Sequence, residues 1–360
     1  MKKTMFYDLH EKHGGKIVDF AGYKMPVQYS SIIAEHKAVR SSVGVFDVSH
    51  MGEVFIEGEK ALDFIQYITT NDASVLYPGR VQYSAMCYED GGIVDDLLVY
   101  KISETKYMLV VNASNLEKDV AWMKQNNKHG VQITDLSESY SLLAVQGPNS
   151  RKVIEKVFGE EVDLEYYHFK ISTYSGTEVL LSRTGYTGEL GYELYFQGDQ
   201  ALAEKFWNSL FRAGEEFGII PCGLGSRDSL RLEMGYCLYG NDIDQTTNPL
   251  DAGLAWITKL KKPSFIGRDA ILDIKADRSK RKLTPLLCEE KAFPRHGYEV
   301  VLNGKNIGYI TSGTVSPVLE MGIALAYIDS EYAKEGNELN FLVRGKEVPV
   351  KVVKLPFIQK

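Results

Sequence analysis

The sequence predicts an α+β protein that ends in a small β-barrel, and three observations carry that prediction. At 360 residues the chain is too long for one ordinary core and calls for two or three domains. Up to residue 277, helix-period and strand-period stretches alternate irregularly, without a repeat of solenoid length. From Leu283 to Leu355 the texture becomes strand-like, with apolar alternation in Val348-Pro349-Val350-Lys351-Val352 and an Asn303-Gly304 hairpin turn. The expected division is therefore 1–277 and 278–360, with the charged stretch Asp277 to Lys282 as a linker.

Within the first part, Glu59 to Thr70 places Ala61, Phe64, Ile65 and Ile68 on one helical face. Leu76 to Ile102 reads as strands around a Glu89-Asp90-Gly91-Gly92 turn. Met108 to Val111 is a buried strand, ended by Asn112-Ala113-Ser114-Asn115. Ser114 with Glu117 predicts a capping box for a helix containing Val120 and Met123. Ser141 to Val145 and Glu178 to Ser182 are further strands. Gln200 to Phe217 is an amphipathic helix with Leu202, Phe206, Leu210 and Ala213 inward, stopped by Gly218 and Pro221. A second helix is expected near Ser226 as N-cap, with Leu230 and Met234 inward, and a short one from Asp269 to Ala276.

Composition excludes several classes. At 44% hydrophobic and 25% charged the chain is an ordinary globular protein. A net charge of −7 argues against a nucleic-acid partner. Residues 278–360 hold 13 Lys and Arg against 9 Asp and Glu, net +4, which leaves −11 for residues 1–277. The four cysteines form no CxxC and the histidines no HxxxH, so buried thiols and no metal are expected. The first residues lack the apolar run of a secretory signal, and no stretch approaches the ~20 apolar residues of a membrane span. A cytoplasmic protein without a membrane partner is expected.

The most informative stretch is Gly91-Gly92-Ile93-Val94-Asp95-Asp96-Leu97-Leu98-Val99-Tyr100, where two acids open an apolar strand. Strand side chains alternate, so Asp95 and Asp96 point opposite ways, one of them to the same face as Leu98 and Tyr100. A carboxylate in apolar surroundings is costly unless paired or hydrogen-bonded. The alternative is two acids at a hairpin mouth, both in water. Around this strand, in order, stand Val18-Asp19-Phe20-Ala21-Gly22, Phe46-Asp47-Val48-Ser49-His50-Met51, Val145-Gln146-Gly147-Pro148, Ser182-Arg183-Thr184-Gly185-Tyr186-Thr187-Gly188-Glu189, Gly191-Tyr192-Glu193, Cys222-Gly223-Leu224-Gly225-Ser226-Arg227-Asp228, Ile310-Thr311-Ser312-Gly313-Thr314 and Lys354-Leu355-Pro356-Phe357. Together these motifs resemble the aminomethyltransferases, or T-proteins, of the glycine cleavage system, almost from end to end.

That resemblance implies three domains around a central folate cavity, the first two interleaved in sequence and the last the β-barrel. It implies transfer of an aminomethyl group from the dihydrolipoyl arm of the H-protein to tetrahydrofolate, giving 5,10-methylenetetrahydrofolate and ammonia. The P-protein and L-protein would be further partners in glycine degradation. Asp96 matches the family's essential aspartate, with Asp95 as its structural neighbour; a cavity on the other face would exchange the two. Glu193 matches the acid that accepts two N–H bonds from the pterin edge, its alternative being a surface acid on a strand. Arg227 matches the arginine near the folate, its alternative being a pair with Asp228 or Asp242. Tyr83, Tyr100 and Tyr186 offer faces and hydroxyls for a ring, against a packing role in a chain of 22 tyrosines. Asn112 offers an amide for the pterin or for its own strand end. Met51 and the Ser49-His50 backbone border the same cavity, with His50 read as packed rather than as a base.

Two departures from the family's pattern stand out. Ser226 replaces an alanine common there, a small change at a helix start. The chain stops at Lys360, short of a tail residue that some members bring to the folate, which leaves that contact open. A folate-binding iron–sulfur assembly protein on the same scaffold would carry a Lys-Gly-Cys-Tyr-x-Gly-Gln-Glu type motif. Here Glu233 to Asp242 lacks it. The folate half of a sarcosine or dimethylglycine dehydrogenase would bring a flavin domain with GxGxxG, and Gly223-Leu224-Gly225 lacks the third glycine.

Overall fold

The structure, a computed structural model, describes residues 1–277 and 280–359, so Arg278 and Ser279 of the expected linker lie outside the described residues. The chain divides into two compact units that interleave in sequence. The first holds residues 1–64, 73–82 and 97–228; the second holds 65–72, 83–96 and 229–360. The division passes through the strands Val81–Cys87 and Ile93–Ser103 and through the helix Leu224–Glu233.

The first unit is built on a six-stranded sheet in the order Phe169–Tyr174, Thr177–Ser182, Gly191–Gln197, Tyr140–Gln146, Gly44–Asp47, Ile220–Pro221. Its pairs are antiparallel except the last, which is parallel. On one face Leu143, Val145, Tyr192, Leu194 and Phe196 pack with Ile154, Phe206, Trp207 and Leu210 from helices Ser150–Phe158 and Gln200–Gly214. The second of these helices starts where the Asp199 side chain accepts the Leu202 N–H at 2.9 Å. A further sheet has the order Val81–Cys87, Ile93–Ser103, Lys106–Val111, Gly52–Glu57, Gln132–Asp135. The short helix Ala61–Ile68 buries Ala61, Phe64, Ile65 and Ile68, as its period predicts.

Two caps differ from the sequence reading. Ser114 lies inside a 3₁₀ turn, Ala113–Asn115, and helix Leu116–Gln125 begins after Asn115 without a side-chain cap. The next helix begins at Leu224, so Ser226 sits within its first turn, and its hydroxyl is directed to Glu35 Oε2 and the Gly223 carbonyl. A carboxylate distant in sequence takes the place of the local cap, because Glu35 also receives the Gly223 N–H at 2.9 Å.

The second unit contains a closed six-stranded barrel: Arg281–Cys288, Gly322–Asp329, Lys305–Val315, Glu299–Leu302, Glu338–Val343, Lys346–Val352, closed by pairing of Leu286 with Val352. Val348, Val350 and Val352 point inward with Leu286, Val300 and Phe341, while Lys351 is exposed. Asn303 and Gly304, with φ of 53° and 75°, make the two-residue turn between the second and third of these strands in chain order. The four cysteines are buried and free, and no helix among the described residues is long and apolar enough to cross a membrane.

The Ile310-Thr311-Ser312-Gly313-Thr314 motif is explained by a buried ion pair. Arg231 and Asp242 are 1% and 0% exposed and meet at 2.7 Å, so both charges depend on protein partners. Arg231 also donates to the Tyr236 carbonyl at 2.9 Å and to Ser312 Oγ at 2.8 Å. Asp242 accepts from the Thr311 and Ser312 hydroxyls and from the Leu238 N–H. The strand shifts register between Ile310 and Ser312, and both hydroxyls of this region are directed to Asp242. Asp242→Ala leaves the guanidinium buried without its carboxylate and is expected to cost about 3–5 kcal/mol. Urea unfolding of the variant beside the parent protein checks this.

Candidate functional site

In the first unit the strand Gly191–Gln197 sends Tyr192, Leu194 and Phe196 into the apolar core, so alternation turns Glu193 and Tyr195 to the opposite face. Glu193 is 7% exposed. Its Oε2 accepts from the Thr184 hydroxyl and from the Tyr195 hydroxyl at 3.3 Å, and among the described residues no hydrogen bond reaches Oε1. Burial pushes this carboxyl above its ordinary range, against the pull of the Thr184 bond, the Arg227 charge and Tyr195. Arg227 lies over the Tyr186 ring at 4.8 Å. Its guanidinium has no hydrogen-bond acceptor among the described residues, and Asp242, one of its expected partners, belongs to Arg231 instead. A buried carboxylate with one open oxygen, a cation and a flat ring thus converge in one unit.

Four side chains hold these groups and the loops beside them. The loop from Arg183 to Leu190 is moulded on Gln146, which donates to the Thr184 carbonyl at 3.2 Å and accepts from the Thr187 hydroxyl at 2.8 Å. A Cβ at Gly185 or Gly191 would come within 2.1 or 2.3 Å of the Gln146 amide, so a side chain at either position would push that amide off its bonds. Arg40 holds the same loop through the Thr187 carbonyl at 2.6 Å and Glu189 at 2.9 Å. The start of the Arg227 helix is tied to Glu35, which also accepts the Tyr29 and Ser30 N–H groups at 2.6 and 3.1 Å. The loop after Phe46 is tied by Asp47, which accepts from Thr4 at 2.6 Å and from the Ser49 N–H at 3.0 Å and meets His10 Nε2 at 2.8 Å. Those partners hold Asp47 below its ordinary range despite full burial.

The remaining expected residues fall as follows. Met51, Asn112 and Tyr186 are half-buried members of this unit. Asn112 follows the strand Lys106–Val111 and opens the 3₁₀ turn. His50 is buried, and desolvation with the Arg227 charge lowers it to about 4, so it is a packed neutral imidazole. Tyr100 corrects the sequence reading. It is fully buried, with its hydroxyl 3.0–3.2 Å from Tyr195, Ser182 and Thr184, so it stands among the groups behind Glu193 and offers no face to a ring. Thr184, Tyr195, Gln146, Arg40 and Glu35 were not assigned roles from sequence. Thr184 was within reach, since it stands in a motif already singled out, and Tyr195 follows Glu193 by two positions on the same strand face; Glu35 gave no local signal.

In the second unit Asp95 is fully buried and Asp96 half-buried, the alternation expected of a strand. Tyr83 donates its hydroxyl to Asp96 Oδ2 at 2.9 Å. Beside Tyr83, at 5.8 Å between ring centroids, stands Trp256, 60% exposed and unremarked in the sequence reading. Among the described residues no group of three or more His, Cys, Asp or Glu is arranged to hold a metal ion.

Comparison with known proteins agrees over the whole chain. Residues 6–262 match the model of the GCVT N-terminal domain, and residues 281–359 that of the glycine cleavage T-protein C-terminal barrel domain. The chain is 50% identical to the aminomethyltransferase of Halothermothrix orenii, covering 99% of this chain and all of that one. It is 47% identical to the aminomethyltransferase of Bacillus subtilis, with both chains covered in full. Among solved structures, it is similar to the glycine cleavage system aminomethyltransferase T of Bartonella henselae, with a TM-score of 0.92, 34% identity and coverage of 99% and 98%.

Because the folded pKa of His50 is depressed to about 4, the unfolded chain binds the extra proton first. Stability contributed by neutral His50 is complete above the ordinary histidine value and is lost as pH falls from about 6.5 towards 4. An NMR titration of the imidazole is expected to give a midpoint about 4, and His50→Gln is expected to flatten that part of the stability curve.

Proposed function

The chain belongs to the glycine cleavage T-protein family as an aminomethyltransferase, and we propose that it moves the aminomethyl group from the dihydrolipoyl arm of the H-protein to tetrahydrofolate. The products are 5,10-methylenetetrahydrofolate, ammonia and the reduced arm. The observation that carries this reading is the Glu193 carboxylate, bonded from behind at Oε2 and open at Oε1, beside the Arg227 guanidinium. A pterin edge presents N–H donors, and with Oε2 held by two hydroxyls the open Oε1 accepts from them in one direction. With the Thr184 bond, the Arg227 charge opposes the upward push of burial on Glu193, and it supplies charge for an acidic group of the folate. Tyr186 and Met51 supply apolar surface, and Asn112 an amide for the pterin.

In the net reaction the methylene carbon loses its bonds to sulfur and to the amine nitrogen and gains bonds to folate N5 and N10. The protons of those two nitrogens end on the sulfur and on the departing ammonia. Positive charge develops at the carbon and nitrogens as these bonds exchange, and Asp96 is the carboxylate assigned to it. Tyr83 fixes one of its oxygens, and the carboxylate can relay a proton. Asp95, fully buried, serves the strand. Orientation of the two reactants supplies much of the remaining acceleration. The P-protein and L-protein would act on the same lipoyl arm, in the cytoplasm.

Methylenetetrahydrofolate formation from aminomethylated H-protein and tetrahydrofolate tests the reading directly. Asp96→Asn is expected to lower turnover by about two orders of magnitude or more while folate binding stays within about tenfold. Asp95→Asn is expected to act through stability, and loss of turnover in a folded Asp95→Asn protein would overturn the assignment of faces. Glu193→Ala is expected to weaken tetrahydrofolate binding by about 2–4 kcal/mol in calorimetric titration. An unchanged dissociation constant would remove Glu193 from the site.

A further inference from the structure

Lys262 has no part in the reaction as described, yet it is 5% exposed. Its ammonium donates to three backbone carbonyls, those of Gln66 at 2.8 Å and of Thr69 and Asn71 at 2.7 Å each. An ammonium has three donors, so every one is engaged. The carbonyls belong to the end of helix Ala61–Ile68 and the turn after it, where backbone acceptors lack partners within the helix and the dipole favours a cation. Burial lowers this lysine to about 7 against the opposing Asp72 charge, and the carbonyl cage favours the charged form.

The segment so fixed leads to the carboxylate assigned to the transfer. Thr70 donates its N–H to the Ala85 carbonyl at 2.9 Å, and Asn71 donates its N–H to Ser84 Oγ at 3.0 Å. Asn71 Nδ2 donates to the Tyr83 carbonyl at 2.9 Å, and the Tyr83 hydroxyl donates to Asp96 Oδ2 at 2.9 Å. We propose that Lys262 is a positioning residue for aminomethyl transfer, acting through residues 69–71 and Tyr83 to set the orientation of the Asp96 carboxylate. A lysine that only closes a helix end would affect stability and nothing else. This inference rests on the reading of Asp96 given above.

The test is a double-mutant cycle in the full-length protein, with kcat for transfer, the tetrahydrofolate dissociation constant and urea unfolding measured on each variant. Lys262→Met is expected to lower kcat by about tenfold to a hundredfold, as misplacement of a reacting group does, with folate affinity nearly unchanged. In the Tyr83→Phe background the same substitution is expected to cost no more than about twofold, because effects that pass through one hydroxyl do not add. Losses that multiply, or a folded Lys262→Met protein with full kcat, overturn the inference. Should Lys262→Met fail to fold, Asn71→Ala removes the amide bond to the Tyr83 carbonyl while leaving the ammonium in place, and the same two outcomes decide. Asp96→Asn is run alongside. If it retains turnover, the reading of Asp96 fails; if it loses turnover while folded Lys262→Met keeps full kcat, only the positioning role fails.

Discussion

A carboxylate taken out of water must find donors or give up its charge, and this constraint organises the molecule. Glu35, fully buried, receives three N–H groups and a hydroxyl. Asp47 receives a hydroxyl and an N–H and meets an imidazole. Asp242 is met by a guanidinium, two hydroxyls and an N–H. In each case the donors come from segments far apart in sequence, so satisfying one acid fixes several turns at once. Glu35 fixes the start of the Arg227 helix, Asp47 the loop of His50 and Met51, and Asp242 the register of a barrel strand.

Against that background Glu193 differs. It is as deeply placed as a structural acid, but its hydrogen bonds come to one oxygen, and its pKa moves up where that of Asp47 moves down. The Thr184 bond and the nearby Arg227 charge lower the cost of keeping it ionised. Glu53 shows the other solution. It is buried, with no hydrogen bond to either oxygen among the described residues, and desolvation together with the Asp135 and Glu193 charges raises it well above the ordinary range, which favours the neutral acid.

In both units, several supports are made to backbone rather than to side chains. Gln146 shapes the Arg183–Leu190 loop by lying where two glycines leave room, and Lys262 and Arg40 donate to carbonyls. Such contacts explain why the motifs read as glycine-rich strings flanking a few polar residues, since the glycines are there for close approach.

The sequence by itself determined the α+β class, the barrel at the end, the helices with strong apolar period and the strand alternation that separates Asp95 from Asp96. It did so because these features depend on local period and turn chemistry, as at Asn303-Gly304. Resemblance carried the family and the candidate roles of Glu193, Arg227 and Asp96. Tertiary structure alone decided which partners those side chains have. Ser226 and Ser114 look like caps locally, yet a remote glutamate and a 3₁₀ turn displaced them. Tyr100 shares the period of a ring-facing residue, yet full burial and neighbouring hydroxyls took its polar end. Lys262 carries no sequence signal at all, because its three acceptors are backbone carbonyls nearly two hundred positions away.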